Sequence, residues 1–151
     1  MPSKAKPPES RPVTITAVVD PVAALATGEL EGNLFLYDTN KTAGSTGFGT
    51  ADLRTRVSSG DTLIWNVVVL ECETYAAIDG IVIDDKICTP ERKVYPDTDI
   101  VYWTGTVKRH VAEPVPYRLK FRLGTVTEPF AVSSPALVGQ AAAGAAGKER
   151  R

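Results

Sequence analysis

The chain has 151 residues, 43% of them hydrophobic and 23% charged, with two cysteines and one histidine, a composition that fits one globular domain with a single hydrophobic core. The formal net charge is −1, made of +2 on residues 1–12, +2 on residues 140–151 and −5 on the body between; an acidic body without clustered Lys and Arg argues against nucleic-acid binding. No apolar run approaches the roughly 20 residues that cross a bilayer, and no apolar stretch follows the basic N-terminus. The expectation is a cytoplasmic protein with neither a membrane span nor a secretory signal.

Residues 1–12, rich in Pro, Lys and Ser, and residues 140–151, Ala/Gly-rich with a basic end, have too little to bury to offset the entropy of ordering them, and are expected as disordered tails around a domain at 13–139. Within that domain the first strand is predicted at Val13–Val19, where Val13, Ile15, Ala17 and Val19 alternate with Thr14 and Thr16. Residues 20–30 offer a short helical turn at most. A second strand is predicted at Asn33–Tyr37, followed by a loop through Gly44–Gly49. That loop superficially looks like a phosphate-binding loop but lacks GK[ST] and a strand-to-helix setting, so a mobile loop is the better reading.

Asp52–Val57 sets Leu53, Thr55 and Val57 against Asp52, Arg54 and Arg56, and Thr62–Leu70 follows the turn Ser58-Ser59-Gly60-Asp61. The second half of Thr62–Leu70 is apolar on both faces, the mark of a central strand, with Trp65 in the core. Ile78–Ile83 is a shorter signal, Val101–Val107, carrying Tyr102 and Trp103, is a good strand, and Glu128–Val132 is the final one; the clearest strand is Tyr117–Leu123, where Tyr117, Leu119, Phe121 and Leu123 face one way and Arg118, Lys120 and Arg122 the other. Pro129 places the last strand at an edge or near its own start. Eight short strands without βαβ spacing predict an all-β, single-domain antiparallel β-sandwich of about 7–8 strands.

Few residues carry chemistry. His110 stands among Lys108, Arg109 and Val111 and reads as a surface histidine. Cys72 and Cys88 have no zinc-ligand spacing and read as reduced thiols in the cytoplasm, a disulfide between them requiring export. No GxSxG or activated cysteine is present, so no enzyme is expected. The acidic turns at Asp38 and Asn40 and at Asp97 and Asp99 are candidate calcium ligands, weighed against turn residues bonding their own backbone. Tyr37, Tyr95 and Trp103 are candidates for stacking on a sugar, weighed against core packing for Trp103.

Taken together, Val19-Asp20, Asn33–Asn40 (NLFLYDTN), Gly49–Val67 (GTADLRTRVSSGDTLIWNV), Lys86–Pro90 (KICTP) and Tyr102–Val107 (YWTGTV) resemble the AidA/PixA family of bacterial inclusion body proteins across about residues 13–135. The most specific block is formed by Gly49, Thr50, Asp52, Leu53, Thr55, Val57, Gly60, Asp61 and Trp65. The resemblance implies a compact β-sandwich without enzymatic activity, tied in some bacteria to quorum-controlled expression, host interaction and intracellular inclusions, and it carries over no catalytic residue. This chain departs from the methionine-rich founding member in having only Met1, so a methionine-storage role does not transfer. The leading expectation is a noncatalytic protein that self-associates or binds a partner protein; the alternative is a carbohydrate-binding module, with or without calcium, resting on the acidic turns and the aromatics.

Overall fold

The computed structural model describes residues 12–71 and 73–139. The expected tails, apart from Pro12, lie outside the described residues, as does Cys72. Within the described residues eleven strands form three sheets, with one short α-helix and a 3-10 turn at Lys41–Ala43 between strands. The first sheet has five strands in the order β2 (Leu34–Asp38), β1 (Pro12–Val19), β4 (Thr62–Val69), β7 (Val101–Thr106) and β6 (Glu91–Val94). A second holds β10 (Phe130–Val132), β9 (Arg118–Leu123) and β5 (Ala76–Val82), and the third β3 (Arg54–Val57), β11 (Ala136–Gly139) and β8 (Val115–Pro116).

The all-β expectation holds, with two corrections. β1 runs parallel to β4, and β11 parallel to β3, so the pairing is mixed rather than antiparallel throughout. A parallel pair needs a long connection, and the chain between β1 and β4 supplies it by passing through α1, β2 and β3 first. Periodicity reports which face a residue takes, not which way its neighbour strand runs. The described residues also hold more strands than 7–8, because β6, β8 and β11 have no alternation to betray them: β6 is exposed along its whole length and β8 has two residues.

The inward faces of the sheets share one hydrophobic cluster. β1 contributes Val13, Ile15, Ala17 and Val19, β4 contributes Leu63 and Trp65, and β9 contributes Leu119, Phe121 and Leu123. Leu53, Val57 and Leu137 join from around the third sheet. At the centre, the Trp65 indole N–H donates to the Tyr117 hydroxyl over 3.4 Å with the rings edge to face, centroids 5.8 Å apart. Burial pushes the Tyr117 hydroxyl far above its ordinary pKa, the hydrogen bond with Trp65 pulling the other way.

Helix α1 (Pro21–Thr27) is longer than the expected turn. Its sequence carries the signals for both ends: the Asp20 carboxylate accepts from the Ala23 N–H at 3.1 Å as N-cap, Pro21 opens the helix, and Gly28 at φ 77° closes it. The loop at 44–49 is stitched rather than free, since Thr46 bridges Arg54, Thr50 bridges Leu36, and the Ser45 hydroxyl accepts from the Arg56 N–H at 3.0 Å.

Candidate functional site

The start of β5 lies against β4 and β7 of the five-stranded sheet without closing over Val101 and Trp103. An open cleft results. Its floor is Trp65, Val67, Val101 and Trp103, its wall is Tyr75, Ala76, Ala77 and Ile78 around the start of β5, and its volume is about 300 Å³. A smaller annex of about 230 Å³ continues past Asp79, Arg92 and Arg122. Register puts Arg92 opposite Trp103, so both project to this side, and Arg122 pairs with Asp79 at 3.2 Å at the mouth. The Trp103 indole nitrogen is buried and has no hydrogen-bond partner among the described residues. The arrangement offers a small ligand one flat apolar face, while the indole nitrogen itself is closed to solvent.

This cleft gathers part of the expected aromatic set. Trp103 and Asp99 line it, whereas Tyr95 packs edge-on against Tyr102, the ring centroids 6.4 Å apart, and Tyr102 alternates with Trp103 to the other face of the sheet. Tyr37 lies elsewhere, on β2 at the opposite edge of the five-stranded sheet.

The calcium candidates are not brought together. Asp38 and Asn40 sit at the end of β2, and Asp97 and Asp99 in the β6–β7 hairpin, on strands separated by β1, β4 and β7, which sets them about 19 Å apart across the sheet. Local hydrogen bonding accounts for three of the four. Asp38 accepts from the Asn40 N–H at 2.7 Å. The buried Asn40 amide donates to the Arg56 carbonyl at 2.6 Å and ties the loop to β3. Asp97, at φ 63°, is the third residue of the turn Tyr95-Pro96-Asp97-Thr98, closed by the Thr98 N–H on the Tyr95 carbonyl at 3.1 Å; proline second and a left-handed residue third are what a type II turn requires. Among the described residues no three His, Cys, Asp or Glu side chains cluster as metal ligands.

His110 is exposed. Cys88 is a free, buried thiol whose pKa is pushed up to about 11, by burial first, with Lys108 pulling it down; such a thiol is a poor nucleophile. No helix among the described residues is long and apolar enough to cross a membrane.

Two surfaces escaped the sequence reading. On the outer face of the five-stranded sheet, register lines up Phe35, Val18 and Val68 across β2, β1 and β4, and Val68 and Leu70 are 49% and 60% exposed. The apolar run ending at Leu70 was visible, but its alternation could not tell a covered face from a bare one. The second is a groove of about 860 Å³ between the Gly28–Glu31 loop and the stretch from Glu128 to Ser134, with Ala51 also lining it.

No curated protein matches the sequence. Among solved structures the chain is similar to the crystal structure of the inclusion body protein PixA from Burkholderia cenocepacia J2315, with a TM-score of 0.70 at 13% identity, over 93% of this chain and 100% of that one. The two share a fold, the one that the AidA/PixA resemblance implied. A family model described as a domain of unknown function, DUF8788, matches residues 11–128, and the chain belongs to that family.

Proposed function

We propose that this is a noncatalytic β-sandwich protein whose function is assembly with copies of itself, through the outer face of the five-stranded sheet. One observation carries this reading: the Phe35, Val18 and Val68 row lies in register across three adjacent strands on the outer face, with Val68 exposed and Phe35 and Val18 half-buried. A flat sheet face of this kind is self-complementary about a two-fold axis, and apolar area removed from water contributes about 25 cal/mol per Å². The shared fold with an inclusion body protein supports the reading. Sedimentation velocity over a wide concentration range tests it: the chain should associate, and Val68→Glu, at an exposed position, should weaken association without lowering the unfolding temperature. A monomer at every concentration would remove the reading.

The cleft at Trp103 favours a second reading, recognition of a carbohydrate by stacking, because Tyr75 stands exposed beside it. A glycan array that stays blank for the wild-type chain would end it.

A further inference from the structure

We infer that the outer face of the β10–β9–β5 sheet and the cleft at Trp103 form one track for a carboxylated polysaccharide, a chain of uronic acid sugars. The inference rests on the carbohydrate reading of the cleft and names the class of glycan.

A row of cations supplies the track. β9 is the middle strand of its sheet, and Leu119, Phe121 and Leu123 are buried in the core, so Arg118, Lys120 and Arg122 stand together on the other face, about 7 Å apart along the strand. Their cross-strand neighbours are uncharged and mostly small. Lys120 lies opposite Gly80 on β5 and Ala131 on β10, Arg122 opposite Ala77, and Arg118 opposite Val82. A side chain at position 80 would come within 3.2 Å of the Lys120 Cε, so the Lys120 stem lies over Gly80, on the β5 side of the row. Like charges so spaced repel one another, and they are gathered on a body whose net charge is −5.

The row runs into the cleft. β5 carries a bulge between Ile78 and Gly80, with Asp79 as the extra residue; a bulge re-aims a side chain, and here the Asp79 carboxylate meets the Arg122 guanidinium at 3.2 Å. That contact holds Arg122 at the mouth of the annex of about 230 Å³, which Arg92 also lines. The annex and the cleft share Tyr75, Ala77, Ile78 and Val101, so the cations lead directly onto the aromatic floor. Of the four cations only Arg122 has an ion-pair partner among the described residues.

The chemistry of the track selects its occupant. Guanidinium groups take carboxylates through two parallel N–H bonds, and the exposed ring of Tyr75 with the half-buried Trp103 offers a flat face to a pyranose. Asp99 lines the cleft but not the annex. It would repel a simple aromatic acid, whereas a sugar brings hydroxyl groups that donate to it. Nucleic acid fits less well: a binding face engages on the order of six to ten phosphates, and four cations, one already held by Asp79, fall short.

Titration calorimetry of the full chain with polygalacturonate and with alginate tests this. The wild type should bind at least one of them, at least about tenfold more weakly at high salt because exposed charges are screened. Methyl-esterified polygalacturonate keeps the sugars and loses the charge, so it should bind at least about tenfold more weakly than the acid. Arg118→Gln with Lys120→Gln, which leaves the core face untouched, should weaken binding of the acidic polymer to a similar degree at an unchanged unfolding temperature, and Tyr75→Ala should weaken it as well. An ester that binds as tightly as the acid, or a double variant that binds as the wild type does, would overturn the inference and leave the carbohydrate reading standing. A single-stranded oligonucleotide that binds as tightly as the uronates would overturn it in favour of polyanions at large. No binding to either uronate would also overturn it, and neutral sugars retained on the glycan array would then keep the carbohydrate reading alone.

Discussion

Trp65 and Trp103 are direct cross-strand partners on β4 and β7 and both border the open cleft, yet Trp65 is buried against Tyr117 while Trp103 is only half-buried. The sequence shows the same kind of residue on the same kind of strand. What separates them is what packs around each ring, which one-dimensional periodicity does not carry. Trp65 was legible as core, as was the whole face Tyr117, Leu119, Phe121 and Leu123. Replacing the Tyr117 hydroxyl by Tyr117→Phe leaves the Trp65 N–H unpaired in the interior and should cost about 1–2 kcal/mol in urea unfolding; an unchanged midpoint would show that the hydroxyl is not the acceptor. Cys88 gives a prediction in pH. Its pKa is raised from 9.0 to about 11 by burial, so folding favours the neutral thiol; the associated stability is fully present below pH 9 and is lost as pH rises through 11. In a Cys72→Ser background, a thiol reagent at pH 8 should label Cys88 only after unfolding, and rapid labelling of the native chain would contradict its burial.

At the scale of elements, the strands that present one face to the core and one to water were readable, because their alternation records the two environments. β6, β8 and β11 were not: β6 is solvated throughout, and Glu91, Arg92 and Lys93 along it guard an outer edge rather than fill a core. Helix α1 was underestimated although Asp20, Pro21 and Gly28 spell its two ends. Asp20→Ala should therefore destabilise the fold by about 1 kcal/mol, and Asp20→Asn should recover most of the loss. The acidic turns were visible as residues, but their separation across the sheet was not, since strand order depends on long-range pairing. With the β2 and β6 ends on opposite edges, adding calcium or a chelator should leave the unfolding temperature unchanged. A rise of several degrees with calcium would reveal a site that the geometry does not assemble.

For the whole molecule, the outcome turns on three sheets of unequal size, of five, three and three strands among the described residues. The Trp103 cleft lies open beside the start of β5, and the outer face of the largest sheet carries an apolar row that is exposed at Val68. The class of fold could be read from eight strand signals, and the family likeness anticipated the fold shared with PixA, while the bare face and the groove at Glu128 emerged only once strand order and register were known. Exposed apolar rows of this kind mark interaction surfaces, and the placement of Val68 there makes it the residue on which assembly should depend most. The direct test is sedimentation velocity of wild type and Val68→Glu side by side across a wide concentration range. The account predicts concentration-dependent association for the wild type and a shift toward monomer for the variant at equal thermal stability. A wild type that stays monomeric, or a variant that associates as strongly, would contradict it.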